Sequence, residues 1–110
     1  MHKQSIVYKT ASGKEPYTKY VNSLKDWKAA AKISVRVTRA ELGNLGDYEG
    51  VGHGVVELKI NFGPGYRIYM GLQGQELIVL LCAGDKSSQK KDIQKAIDYW
   101  NDYRKTRRTL

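Results

Sequence analysis

The sequence predicts an α+β fold. An N-terminal strand and helical hairpin come first, then a three-stranded antiparallel meander that completes a curved sheet, then a C-terminal helix. Three observations carry this reading. Residues 55–62 and 66–70 alternate apolar and polar at the period of a strand, on either side of Gly63-Pro64-Gly65. Residues 77–82 form an unbroken apolar run, the pattern of a central strand buried on both faces. Around this block, apolar residues recur at helical spacing in two stretches before it and one after. Helices covering one face of such a sheet give the α+β class.

Taken in order, residues 6–10 alternate and are short, as an edge strand is, and Ala11-Ser12-Gly13 breaks them. Glu15-Pro16 opens the first helix, with acid and proline in the favoured first turn. Tyr17, Tyr20, Val21 and Leu24 give it an apolar stripe. After a break at Lys25-Asp26, a longer helix runs from Asp26 to about Leu42, and Gly43 closes it. Residues 43–54 read as a turn-rich connection, punctuated by glycine and lacking the Gly-Lys-Ser/Thr of a phosphate loop. His53, at its end, reads as a loop histidine.

The hairpin sorts its own faces. Val56, Leu58, Ile60 and Phe62 share one side with Tyr66, Ile68 and Met70; Glu57, Lys59 and Asn61 share the other with Arg67 and Tyr69. A three-residue loop ending in a left-handed Gly65 would pair Phe62 with Tyr66, Ile60 with Ile68 and Leu58 with Met70. Gln73-Gly74 then turns the chain into a strand over residues 76–83. A last helix over residues 88–104, capped by Ser87 or Ser88 with Asp92 in its first turn, buries Ile93, Ala96, Ile97, Trp100 and Tyr103. The basic segment from Arg104 to Arg108 reads as a frayed tail.

At 110 residues and 41% hydrophobic content, one domain with one core is expected. Nineteen basic against eleven acidic side chains give a net charge of +8, which favours acidic partners such as nucleic acid. The single cysteine, Cys82, excludes an internal disulfide and a cysteine-rich metal site, and its apolar neighbours suit a buried thiol. No metal and no cofactor is expected. No apolar run reaches membrane-spanning length, and the N-terminus lacks a signal-peptide core, so a cytoplasmic protein with no membrane partner is expected.

Two constellations carry chemistry. The polar hairpin face gathers Glu57, Lys59, Arg67 and Tyr69, which make either cross-strand charge pairs on a wet sheet face or an active site on a rigid sheet. On the second helix, Lys28, Lys32, Arg36 and Arg39 step by four, four and three into a basic stripe, either a solvated face or a phosphate-tracking ridge.

Several long blocks resemble the RelE/HigB superfamily of type II toxins, in the branch of addiction-module killer proteins. They are Gly43-Asn44-Leu45-Gly46-Asp47, Gly54-Val55-Val56-Glu57-Leu58-Lys59-Ile60, Gly63-Pro64-Gly65-Tyr66-Arg67-Ile68-Tyr69, and residues 80–93 around Gly84-Asp85-Lys86-Ser87-Ser88. The front helices from Gly13-Lys14-Glu15-Pro16 onward fit as well, so the resemblance covers nearly the whole chain.

The resemblance implies a RelE-like fold and a ribosome-dependent mRNA endoribonuclease that halts translation, using the RNA 2′-OH as nucleophile without a metal. It also implies a cognate antitoxin, HigA-like with a helix-turn-helix, and operator DNA bound only through the antitoxin complex. Such cleavage needs a base for the 2′-OH, cations for the phosphorane and an acid for the 5′-oxygen. Arg67 suits the phosphorane, because its fork holds two oxygens. Lys59 shares that work, or serves as base if neighbouring cations depress its pKa; Glu57 is the other candidate base. Lys86 is a candidate acid or second cation, and Tyr69 a platform for a base. Two other readings stay open: a ParE-like toxin acting on a topoisomerase without cutting RNA, and an inactive domain that binds RNA or antitoxin.

Overall fold

A computed structural model describes residues 2–108. Its elements are β1 (Gln4–Val7), α1 (Pro16–Ser23), α2 (Trp27–Glu41), β2 (Tyr48–Gly52), β3 (Val55–Ile60), β4 (Tyr66–Gln73), β5 (Leu77–Asp85), a 3₁₀ turn (Lys86–Ser88) and α3 (Gln89–Arg108). The strands form one mixed sheet in the order β1-β5-β4-β3-β2. The class is α+β, but the sheet has five strands and is covered on both faces, where one covered face was expected.

Local chemistry explains the front helices. Pro16 sits at the start of α1, where its missing N–H is no loss. Asp26 caps α2 by accepting from the Lys28 N–H at 2.9 Å. At the other end Gly43 takes a φ of +90°, and the Gly43 and Asn44 amides return to the Ala40 and Arg39 carbonyls. That pair of bonds is a Schellman closure, which satisfies carbonyls the helix leaves open.

Alternation along the strands builds two cores. Leu58, Ile60, Tyr66, Ile68, Met70, Ile78 and Leu80 pack under Ala29, Ile33 and Ala40, so α1 and α2 cover one face. Val55, Tyr69, Val79, Leu81 and Cys82 pack under Ala96 and Trp100 of α3, which covers the other. Gly71 makes room for that second layer: a Cβ there would fall 2.3 Å from Trp100 Cε3. Overpacking of this kind typically costs about 1–3 kcal/mol. The reason for the second covered face lies in α3 itself, whose apolar stripe needs a sheet face of its own.

Four further differences from the sequence reading have physical causes. β1 spans Gln4–Val7 rather than residues 6–10, and it runs parallel to β5, with Gln4 opposite Leu77 and Val7 opposite Leu80. The supposed connection over residues 43–54 contains β2, paired antiparallel with β3 through the two-residue turn His53-Gly54. Both turn residues have positive φ, 58° and 86°, as a hairpin turn of this twist demands. The β3–β4 register is slipped by two from the expected one, with Ile60 opposite Tyr66, Lys59 opposite Arg67 and Glu57 opposite Tyr69. The loop is therefore Asn61–Gly65, five residues, and because the slip is even every side chain keeps its face. Finally, α3 continues through Arg108, so the basic segment read as a tail is helical.

Among the described residues, no helix is long and apolar enough to cross a membrane.

Candidate functional site

The α3-facing side of β3 and β4 carries two cross-strand pairs in succession, Glu57 with Tyr69 and Lys59 with Arg67. They differ in cover. Glu57 and Tyr69 lie under the start of α3, with 1% and 0% of their surface exposed. The Lys59 and Arg67 side chains lie just past that cover, 29% and 11% exposed.

A buried carboxylate must be paired and hydrogen-bonded to be tolerated, and Glu57 is. The Tyr69 hydroxyl donates to Oε2 at 2.9 Å. The Gln89 side-chain amide, from the first residue of α3, donates to Oε2 at 2.9 Å and Oε1 at 3.2 Å. Arg67 Nε stands 3.9 Å from Oε2, an ion pair too long for a hydrogen bond. Burial first, and the bond to Glu57 second, push the Tyr69 phenol pKa up, so it stays a neutral donor.

Arg67 is held at both ends. Glu57 faces its Nε, and its Nη1 donates to the carbonyls of Gly65 and Tyr66 at 3.0 and 3.2 Å. Its Nε is buried and makes no hydrogen bond. Gly65, with φ +83°, sits between this guanidinium and the 3₁₀ turn. A Cβ on Gly65 would be 3.4 Å from both Arg67 Nη1 and Lys86 Cβ, which places exposed Lys86 alongside Arg67. Asp85 holds that turn by accepting from the Ser87 N–H at 2.8 Å, a capping role the sequence reading gave to Ser87 or Ser88.

Lys59 reaches outward instead. Its ammonium meets Glu49 of β2 at 2.7 Å, and that hydrogen bond raises the Lys59 pKa while lowering that of Glu49.

The structure thus brings Glu57, Lys59, Arg67, Tyr69 and Lys86 to one end of one sheet face, and it changes several roles. Tyr69 is not a base-stacking platform, because its ring is wholly inside the second core. Glu57 is not placed as a general base: its oxygens are taken by Tyr69, Gln89 and the Arg67 charge, and it is shut from solvent. Lys59 is not a depressed-pKa base, because a carboxylate rather than a cation dominates its surroundings. Arg67 touches the core through Glu57, so it does not simply face away from it. Two residues of the cluster escaped the sequence reading. Gln89 follows Lys86 by one turn, and Glu49 was hidden in the segment read as a loop; the alternation of β2 with its His53-Gly54 turn was the available signal.

The basic stripe divides. Arg36 turns inward and donates to the carbonyls of Leu45 and Asp47, each at 2.9 Å, and of Lys59. It is a clamp that fastens α2 to β3 and to the segment before β2, not a free phosphate contact. Lys28, Lys32 and Arg39 remain exposed. They lie on α2, across the sheet from Glu57 and Arg67.

Among the described residues no group of three His, Cys, Asp or Glu side chains is arranged to hold a metal ion. Cys82 is buried, and burial pushes its thiol pKa up to about 12, away from the reactive range.

No protein-family profile matches the chain. An uncharacterized protein of Haemophilus influenzae is 45% identical to it over 80 residues, 73% of this chain and 81% of that protein. At that identity and coverage, the chain belongs to the same family as the Haemophilus influenzae protein.

Proposed function

We propose that this protein is a RelE/HigB-like toxin that cuts mRNA on the ribosome in the cytoplasm, using the RNA's own 2′-hydroxyl. The observation that supports the reading best is the setting of Arg67. A guanidinium on a rigid strand is fixed by Glu57 and two carbonyls, stands opposite Lys59 of β3, and has Lys86 of the 3₁₀ turn alongside it. Preorganised cations of this kind stabilise charge that develops on a phosphorane and need no rearrangement at the moment of reaction.

In this scheme the 2′-oxygen attacks phosphorus while its proton passes to solvent water, because Glu57 and Lys59 are not free to take it; the bond from phosphorus to the 5′-oxygen breaks, and the 5′-oxygen takes a proton from Lys59. The products are a 2′,3′-cyclic phosphate and a 5′-hydroxyl. Arg67 binds the non-bridging oxygens. Lys59, kept protonated by Glu49, is the proton donor in this proposal, and Lys86 is the second cation. Glu57, Tyr69 and Gln89 position Arg67. A helix-turn-helix antitoxin of the HigA type is the partner this reading requires.

The test is to map mRNA 5′ ends in a translating extract with the wild type, Arg67→Lys and Lys86→Ala. Arg67→Lys keeps a charge near Glu57 but loses the fork. New ends inside translated codons, absent for Arg67→Lys and when translation is blocked, are expected. Growth arrest without new ends would overturn the reading in favour of a toxin that acts on a topoisomerase. Neither arrest nor new ends would leave a binding domain.

A further inference from the structure

The outer side of α2 carries an arrangement the hairpin site does not use. A groove of about 340 Å³ runs between α2 and the end of β3, floored by Ala31, Val35 and Phe62 and rimmed by Lys32 and Arg39. Lys32 Nζ stands over the Phe62 ring, 4.9 Å from its centroid. One helical turn before Ala31, about 6 Å along the axis, Trp27 projects with 73% of its surface exposed, and Lys28 Nζ lies 6.0 Å from its ring. Two aromatic rings, Trp27 on α2 and Phe62 in the loop after β3, are therefore each paired with an ammonium of α2, and Trp27 lies one turn from the groove that Phe62 floors. No carboxylate occurs between Trp27 and Ala40.

We propose that this groove is a stacking track for single-stranded RNA, with Trp27 and Phe62 as base platforms and Lys28, Lys32 and Arg39 as phosphate contacts. The proposal rests on the reading of RNA as substrate and extends it to a second subsite. Alternating rings and cations match alternating bases and phosphates, the pattern of single-strand binding grooves. The apolar remainder, Ala31 and Val35, is too small to anchor a partner helix, which calls for large buried side chains. The groove opens on the opposite sheet face from the hairpin site and meets it only at the end of β3. Its wall, Ile60-Asn61-Phe62, directly follows Lys59, and Arg36 ties that stretch to α2 through the Lys59 carbonyl.

The chain's two tryptophans make the test direct, since Trp27 is exposed and Trp100 is only 3% exposed. The intact protein is titrated with fluorescein-labelled decauridylate, with anisotropy giving the affinity of every variant, and with unlabelled decauridylate while tryptophan emission is followed, beside Trp27→Ala, Phe62→Leu and a heparin control. Quenching by decauridylate but not by heparin is expected, with affinity lowered on the order of tenfold in Trp27→Ala and thermal stability of that variant unchanged. Unquenched binding of equal affinity in Trp27→Ala would overturn the stacking track while leaving the nuclease reading untouched. No oligonucleotide binding, with mRNA cleavage intact, would overturn this subsite alone; loss of both would overturn the nuclease reading as well. Quenching by an acidic amphipathic helical peptide that displaces decauridylate would overturn the proposal and reassign the groove to a protein partner.

Discussion

The Tyr69 hydroxyl donates to Glu57 Oε2 at 2.9 Å across β3 and β4, inside a layer otherwise built from Val55, Val79, Leu81 and Trp100. A polar bond in such a place is strong when complete and damaging when broken, because each orphaned group keeps its full desolvation penalty. Here it also sets where Arg67 points, so stability and the candidate chemistry share one bond network.

Tyr69→Phe removes one donor and leaves Glu57 with Gln89 and Arg67, for an expected loss of about 1 kcal/mol. Glu57→Ala strips the partner from three donors at once and is expected to cost about 3–5 kcal/mol. The double variant should fall short of the sum by about 1 kcal/mol in urea denaturation. Strict additivity would mean that the pair does not form.

Arg36 makes a second, separate demand on stability. With three carbonyls depending on its fork, Arg36→Ala is expected to lose about 3 kcal/mol, and Arg36→Lys to recover less than half, since an ammonium cannot span them. Lys28→Ala and Arg39→Ala, on the exposed part of the same stripe, should each stay within about 0.5 kcal/mol. Equal effects from Arg36 and Arg39 in thermal unfolding would contradict the clamp.

Alkaline pH should unfold the protein early. Burial, with Glu41 adding to it at Tyr17 and Asp85 at Tyr20, raises both phenols from 10.0 to about 12, and burial raises Cys82 from 9.0 to about 12. A raised pKa in the folded state means that the fold favours the protonated form. That stability is complete below about pH 9–10 and is lost as pH climbs through 12. The unfolding temperature is expected to fall steeply over that window, with ionisation of Tyr17 and Tyr20 appearing together with unfolding. Ionisation of every tyrosine at pH 10 in a still-folded protein would refute it.

What the sequence made legible was governed by local rules. Asp26 and Gly43 mark the ends of α2 through capping chemistry that needs nothing distant. The two hairpin faces were readable because an even slip in register preserves them, even though the pairing of Lys59 with Arg67 was not. What stayed hidden depends on tertiary packing. Nothing near Tyr69 announces that α3 will lie over it, so its phenol looked as available as the Lys59 ammonium. Arg36 and Arg39 occupy equivalent places in a periodic stripe, and only the arrival of Leu45, Asp47 and Lys59 separates a clamp from a surface charge. β2 was masked by glycines at positions 50 and 52, where the edge strand has least need of side chains.

The parallel pairing of β1 with β5 has a consequence in time. Gln4 meets Leu77, about 70 residues further along the chain. The segment from Tyr48 to Asp85 is a continuous antiparallel meander whose neighbours in sequence are neighbours in space, so it can assemble as the nascent chain lengthens. Of the five strands of this sheet, β1 is made first and its mate last. It must wait while the meander is made and dock late, onto an edge of β5 that stands open until it arrives.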